Sequence, residues 1–316
     1  MRTAFIKELF ELAKQDERIV LIVGDLGFGV VTPFMEQLPG QFLNAGVAEQ
    51  NMTGMAAGMA LSGKIAFTYS IANFPTLRCL EQVRNDVCYH NANVKIVSVG
   101  GGFTYGAMGA THHAIEDLAV MRALPGLLVV APGDPVEARA ATRAVIGYHG
   151  PCYVRLGKAG EPVVHPSPID FELGKAIRMR EGKDATLISI GGILQNTVRA
   201  AERLAREGIE TRVLSMHTLK PLDAEAVLAA ARETGAIFTI EEHSILGGLG
   251  SAVAEVLAES DGLKVPFKRI GPPSRFSPHI GSQEYMLERH GLTDAAIAEN
   301  VSGVLRATTS DLIGKG

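Results

Sequence analysis

The sequence predicts an α/β protein of two domains, each a mostly parallel sheet covered by helices. Short apolar, β-branched runs alternate with longer stretches of helical period along nearly the whole chain. This is the pattern of strands that crossover helices bury on both faces. The alternation breaks once, in a proline- and glycine-rich stretch, and then resumes. A length of 316 residues with 47% hydrophobic content supplies material for two ordinary cores.

In the first domain, set at 1–160, apolar runs predict strands at 19–23, 42–45, 65–69, 94–99, 127–131 and 152–156. Helices are expected at 53–62, 76–90, 115–124 and 136–148, the second starting behind Pro75. Period is lost from 157 to 184, where Pro162, Pro166, Pro168 and several glycines fall. That stretch reads as a linker, set at 161–184, with a short strand pair near its end. In the second domain, 185–316, strands are expected at 186–190, 210–215, 236–240 and 265–270. Helices are expected at 195–207, 224–234, 250–259, 282–290 and 294–307.

Composition narrows the function. A net charge of −4 gives no reason to expect a nucleic acid or an anionic membrane as partner. No apolar run is long enough to span a bilayer, and the charged N-terminal stretch lacks a signal-peptide core. Cys79, Cys88 and Cys152 fit neither a disulfide framework nor a zinc site; they read as buried thiols in a reducing cytoplasm. No phosphate-binding G-x-x-x-x-G-K-[ST] loop is present. Gly100, Gly101 and Gly102 follow a strand, but no helical pattern starts behind them.

Four segments could carry chemistry. Glu49 sits at a strand-to-helix corner, where an acid can simply answer the helix dipole. Met52, Met55 and Met59, with Gly54 and Gly58, suggest instead a buried helix that another backbone approaches closely. A carboxylate at its head would be desolvated and could donate a proton. The glycine-rich loop 106–117 delivers His112 and His113, which point different ways and so suit packing, capping or catalysis better than a shared metal. Phe74, in the corner 67–76 that also holds Ile71, could stack on a flat ligand or fill the core. Lys158, at the carboxyl edge of a sheet, could hold an anionic substrate or be solvated.

Taken in this order, these segments resemble the C-terminal part of transketolases. The likeness runs from Ile19 to about Val304. It is strongest at 46–52 (GVAEQNM) and 109–138 (GATHHAIEDLAVMRALPGLLVVAPGDPVEA). It implies a pyrimidine-binding domain followed by a transketolase C-terminal domain, and thiamine diphosphate as cofactor. The family's first domain carries a GDG motif and chelates magnesium; no GDG occurs here. The resemblance therefore implies the small subunit of a split transketolase. An N-terminal partner would hold the diphosphate and Mg2+ (or Ca2+), in a heterotetramer of two large and two small chains. The small-residue helix around Gly54 and Gly58 would pack near its two-fold axis.

By motif match, Glu49 is the protonated acid that hydrogen-bonds the cofactor pyrimidine N1′, and Phe74 stacks on that ring. Ile71 lies beside it, and Asp25 approaches the thiazolium. His112 contacts substrate oxygens and helps move protons. Lys158 stands where an Arg usually holds substrate phosphate, so charge is kept and the bidentate fork is lost. Two departures concern specificity. Met108 replaces an Asp that reads the acceptor's hydroxyl, and Gly100 replaces a phosphate-binding His. Ketol transfer between a ketose and an aldehyde is expected, with changed substrates. Alternatives are the β subunit of a 2-oxo acid dehydrogenase, a deoxyxylulose phosphate synthase-like enzyme, and a non-catalytic regulatory subunit.

Overall fold

The computed structural model describes residues 1–166 and 168–313. Position 167 of the expected linker and 314–316 of the expected second domain lie outside the described residues. Among the described residues twelve strands form two sheets: β1 Ile19–Val23, β2 Phe42–Asn44, β3 Ile65–Ile71, β4 Val94–Val99, β5 Leu128–Val130, β6 Cys152–Leu156, β7 Ile177–Arg180, β8 Ala185–Ile190, β9 Thr211–Ser215, β10 Thr218–Lys220, β11 Ile237–Glu241 and β12 Phe267–Ile270. The first sheet runs β10-β5-β6-β4-β3-β1-β2 and the second β12-β11-β8-β9-β7. Within the first, only β10 is antiparallel, to β5; within the second, only β7 is, to β9.

The central strands form where the sequence is mostly apolar on both faces. β1, IVLIV, is buried at every position, as β4, β6 and β8 are. Helices cover both sides. Helix Pro135–Gly147 begins with Asp134 as cap, accepting from the Val136 and Glu137 amides, and with proline in its first turn. Helix Arg2–Ala13, which lies in the charged N-terminal stretch, packs against it.

Two expectations need correction. The linker contributes one strand, β7, on the edge of the second sheet rather than a strand pair; its partner is β9. The segment 76–90 is not one α-helix. It passes from a 3₁₀ turn, Leu77–Cys79, through Leu80–Gln82 into a π-helical turn, Val83–Cys88. Changes of pitch of this kind often mark functional segments. Helix Glu49–Leu61 buries Met52 but leaves Gly54 and Gly58 exposed, with nothing within 4 Å of a Cβ built on either. Among the described residues no backbone approaches that face, which leaves it open to another chain.

A buried polar cluster ties the linker to both units. Asp134 Oδ2 accepts from the Val164 and His165 amides. Ser215 of β9 donates to Glu137 Oε1 at 2.6 Å. The His165 ring meets Glu137 at 3.0 Å and Asp134 at 3.4 Å, at ion-pair distance without hydrogen-bond alignment. Burial opposes charge on His165, yet the two carboxylates lift its pKa to about 9. A folded value above the unfolded one, ~6.5, stabilises fully below pH 6.5, and the effect is lost as pH rises through 9. The expected loss is up to about 3 kcal/mol across that window. Urea midpoints on either side of the window should show it in the wild type and not in His165→Gln; equal slopes in both would remove His165 as the source.

Candidate active site

The candidate residues gather at the carboxyl edge of the first sheet, where parallel α/β folds bind ligands. Asp25 follows β1, Ile71 ends β3 with Phe74 just beyond it, Gly100 follows β4, and Lys158 follows β6. Glu49 opens the helix after β2.

Glu49 is 1% exposed. Ser70 of β3 donates to its Oε1 at 3.2 Å, and Arg78 Nη1 donates to its Oε2 at 2.7 Å. Gly24 backs the carboxylate: a Cβ there would lie 3.3 Å from Oε1, so only a small residue leaves Glu49 its place. The Arg78 guanidinium also lies over the Phe74 ring, 4.4 Å from its centre. Glu49 and Phe74 thus hold a flat, N–H-bearing cation between them.

A row of rings runs on from Phe74. The Phe74 and His112 rings are 5.3 Å apart, edge to face, and those of His112 and Tyr105 are 6.4 Å apart. Lys158 Nζ lies 5.4 Å from the centre of the Tyr105 ring. Tyr105 lies so close against Gly100 that an added Cβ would collide with its ring. The space at position 100 is therefore filled by an aromatic ring from five residues along. Burial lowers the His112 pKa, with His113 adding to the effect. His112 Nδ1 is engaged by the Thr111 hydroxyl at 2.9 Å, so Nε2 is the ring nitrogen this contact does not use.

The second unit holds this loop in place. Glu242, just past β11, accepts from the Phe103 amide at 2.7 Å. Phe103 stacks on His290, with ring centres 4.6 Å apart. Gly106 packs on the Gly281 carbonyl so closely that a Cβ would fall 2.7 Å from it. At the loop's far end Asp117, fully buried, accepts from Arg155 Nε at 2.8 Å and the Tyr153 hydroxyl at 2.5 Å. His113 is turned inward, its Nε2 3.1 Å from the Gly106 carbonyl, so the two histidines do diverge.

The structure brings Glu49, Phe74 and His112 together, with Ile71 half-buried beside them. Asp25 is exposed and exchanges two hydrogen bonds with Asn44, at 3.0 and 2.9 Å. Met108, expected to line a closed pocket, is 56% exposed in this chain. Arg78, Tyr105 and Ser70 were not singled out by sequence. Arg78 had a faint signal, a cation four residues beyond Phe74 at the start of a helical stretch. Among the described residues, no group of three or more His, Cys, Asp or Glu is placed to hold a metal, and no helix is long and apolar enough to cross a membrane.

Two parallel α/β units with a buried carboxylate, an aromatic and a histidine loop at one sheet edge find their match among known families. "Transketolase, pyrimidine binding domain" matches residues 1–160, and "Transketolase, C-terminal domain" matches residues 174–297. The chain belongs to the transketolase family. It is 42% identical over 302 residues to one subunit of the apulose-4-phosphate transketolase of Phocaeicola vulgatus, a match covering 94% of this chain and 96% of that one. It is 41% identical to 6-deoxy-6-sulfo-D-fructose transketolase subunit SqwH of a Clostridium species, covering 93% and 90%. A structure described as a split gene transketolase, inactive beta4 tetramer, superposes with a TM-score of 0.87 at 40% identity over 96% of this chain and 97% of that one. The chain is thus a small subunit of the split, two-chain kind of transketolase. The 1-deoxy-D-xylulose-5-phosphate synthase of Heliobacterium modesticaldum is 36% identical, but the match covers only 46% of that protein.

Proposed function

We propose that this chain completes its active site with an N-terminal transketolase subunit and transfers a two-carbon ketol unit from a ketose to an aldehyde. The observation that carries this reading is the seat between Glu49 and Phe74. It already accommodates a planar group with N–H donors, the Arg78 guanidinium, held by a carboxylate at 2.7 Å and a ring face at 4.4 Å. A flat aminopyrimidine makes the same demands. Thiamine diphosphate, the family's cofactor, supplies the electron sink for carbanion chemistry when bound.

In this reading Glu49 holds the proton that faces the cofactor ring, and its burial keeps water from competing for that proton. Phe74 and Ile71 orient the ring, and Asp25 flanks it. Half-exposed Arg78 yields the seat and turns to solvent. His112 presents Nε2 to substrate oxygens. Lys158, with Tyr105 beneath it, offers a cation to an anionic substrate end. Met108 lies where the acceptor's neighbouring carbon is read. The diphosphate and its Mg2+ or Ca2+ belong to the partner.

A heterotetramer of two large and two small chains is the assembly this reading favours. The open Gly54–Gly58 face and the exposed Phe28 and Val47 support it as surfaces suited to other chains. We place the domain limits at 1–160, 161–184 and 185–316, supported by the long stretch between β6 and β8, which holds the edge strand β7 alone among the described residues. A cytoplasmic location is supported by three unpaired cysteines whose thiols burial pushes up, Cys88 to about 11 and Cys152 to about 12.

Assembly gives the test. The chain alone should show no tight, magnesium-dependent thiamine diphosphate binding in calorimetry, and binding and turnover should appear together when the large subunit is added. A lone chain that binds cofactor and turns over would contradict the reading.

A further inference from the structure

A cavity of about 580 Å³ lies between the two units, and Glu49, Phe74 and His112 do not line it. Strand order explains its position. β8 lies between β9 and β11, so the segments leaving β8 and β11 diverge toward opposite sides of the sheet. Such switch points are where open α/β sheets bind ligands. Here Gly191 and Gly192, after β8, face Glu242, after β11, across the opening.

The lining carries both signs of charge, and the cations are the less fully engaged. Arg155 is 4% exposed; its Nε is used by Asp117, and its Nη2 by the carbonyls of Ala114 and Glu242. Nη1 has no hydrogen-bond partner among the described residues. It stands beside Gly191, 3.5 Å from where a Cβ would lie. Gly191 adopts φ +69°, so this position resists a side chain that would cover the guanidinium. Lys158 and Arg199 also line the cavity and have no ion pair among the described residues. Two of the four carboxylates are ion-paired, and Glu242, beside Arg155, is held by neutral donors. Glu161 pairs with the terminal amine of Met1, Glu242 accepts from Phe103 and Gln283, and Asp294 is held by Arg203. Glu284 is the remaining acid on the lining. The first turn of helix Leu194–Arg206 opens on the same space, through Gln195 and Asn196, and a helix start favours anions.

We infer that this cavity binds a phosphorylated small molecule of up to nucleotide size, its phosphate held by Arg155 Nη1, Arg199 and the helix start. The unmatched nitrogen on a buried arginine is the observation a purely structural reading leaves over: its other nitrogens hold the fold together, and this one points into space large enough for a ligand. The inference concerns this chain's own residues and does not depend on ketol transfer.

The test is calorimetric titration of the full-length chain with adenosine monophosphate and, separately, with inorganic phosphate. One saturable site is expected for at least one probe, with affinity falling about tenfold or more in Arg199→Glu and held within about threefold in Arg199→Lys. Arg199 is exposed, so neither change threatens the fold. Stronger binding of the nucleotide points to a nucleotide-sized occupant and equal binding to the bare anion; both uphold the site. Glu49→Gln should bind as the wild type does. Absence of saturable binding, indifference to Arg199→Glu, or loss in Glu49→Gln overturns the inference, the last by moving the anion to the cofactor's seat.

Discussion

Replacing Glu49 with Gln should lower ketol transfer by the reconstituted two-chain enzyme by about a hundredfold to ten-thousandfold, the range set by loss of a positioned acid. The substitution conserves volume, and Ser70 can still donate to the side-chain oxygen, so folding should survive. On the proposed function, what disappears is the acid that faces the cofactor ring. The effect should fall on kcat more than on KM, because the lost interaction serves the reaction rather than uniform binding. Turnover, together with exchange of the cofactor's C2 proton, checks it. Near-normal exchange in the variant would remove Glu49 from the mechanism.

Met108→Asp should shift acceptor preference toward α-hydroxyaldehydes by about one to two powers of ten, equivalent to roughly 1–3 kcal/mol for a buried hydroxyl left without a partner. In this chain Met108 ends the 3₁₀ turn Gly106–Met108 and is exposed. The prediction therefore supposes that the large subunit covers it. The loop that carries it is anchored at Glu242 and Gly281, so an Asp placed there would be presented without rearranging the backbone. kcat/KM for a matched pair of aldehydes, with and without the hydroxyl, gives the answer. A wild type that already prefers the hydroxylated aldehyde, with a ratio unchanged in the variant, would place specificity in the partner chain.

Much of the fold was legible because its strands are self-announcing. β1, β4 and β6 end where the β-branched, apolar-rich runs end, since burial on both faces keeps most of their positions apolar, with Lys95, Ser98 and Arg155 as buried exceptions. β10 escaped notice for the opposite reason. Thr218, Leu219 and Lys220 carry little strand signal of their own, and they become a strand only because β5 offers an open edge. The pitch changes across 77–88 were equally hidden, since local propensity there is simply helical. At the site, Glu49, Phe74 and His112 stood out through local motifs. Arg78 and Tyr105 did not, because their positions depend on contacts across the fold: Arg78 on a carboxylate 29 residues away, Tyr105 on the bare backbone of Gly100. That Arg155 Nη1 has no hydrogen-bond partner among the described residues shows only once both units are in place.

The placement of β10 also bears on how the chain is made. The first sheet draws six strands from residues up to 156 and its seventh from Thr218–Lys220. A nascent chain that has emerged only through the linker therefore carries an unfinished edge, with β5 exposing the backbone groups that invite pairing with a neighbour. The N-terminal unit cannot close while synthesis is still in the linker. Its last strand arrives from beyond β8 and β9, so completion of the first sheet follows translation of the second unit's first strands.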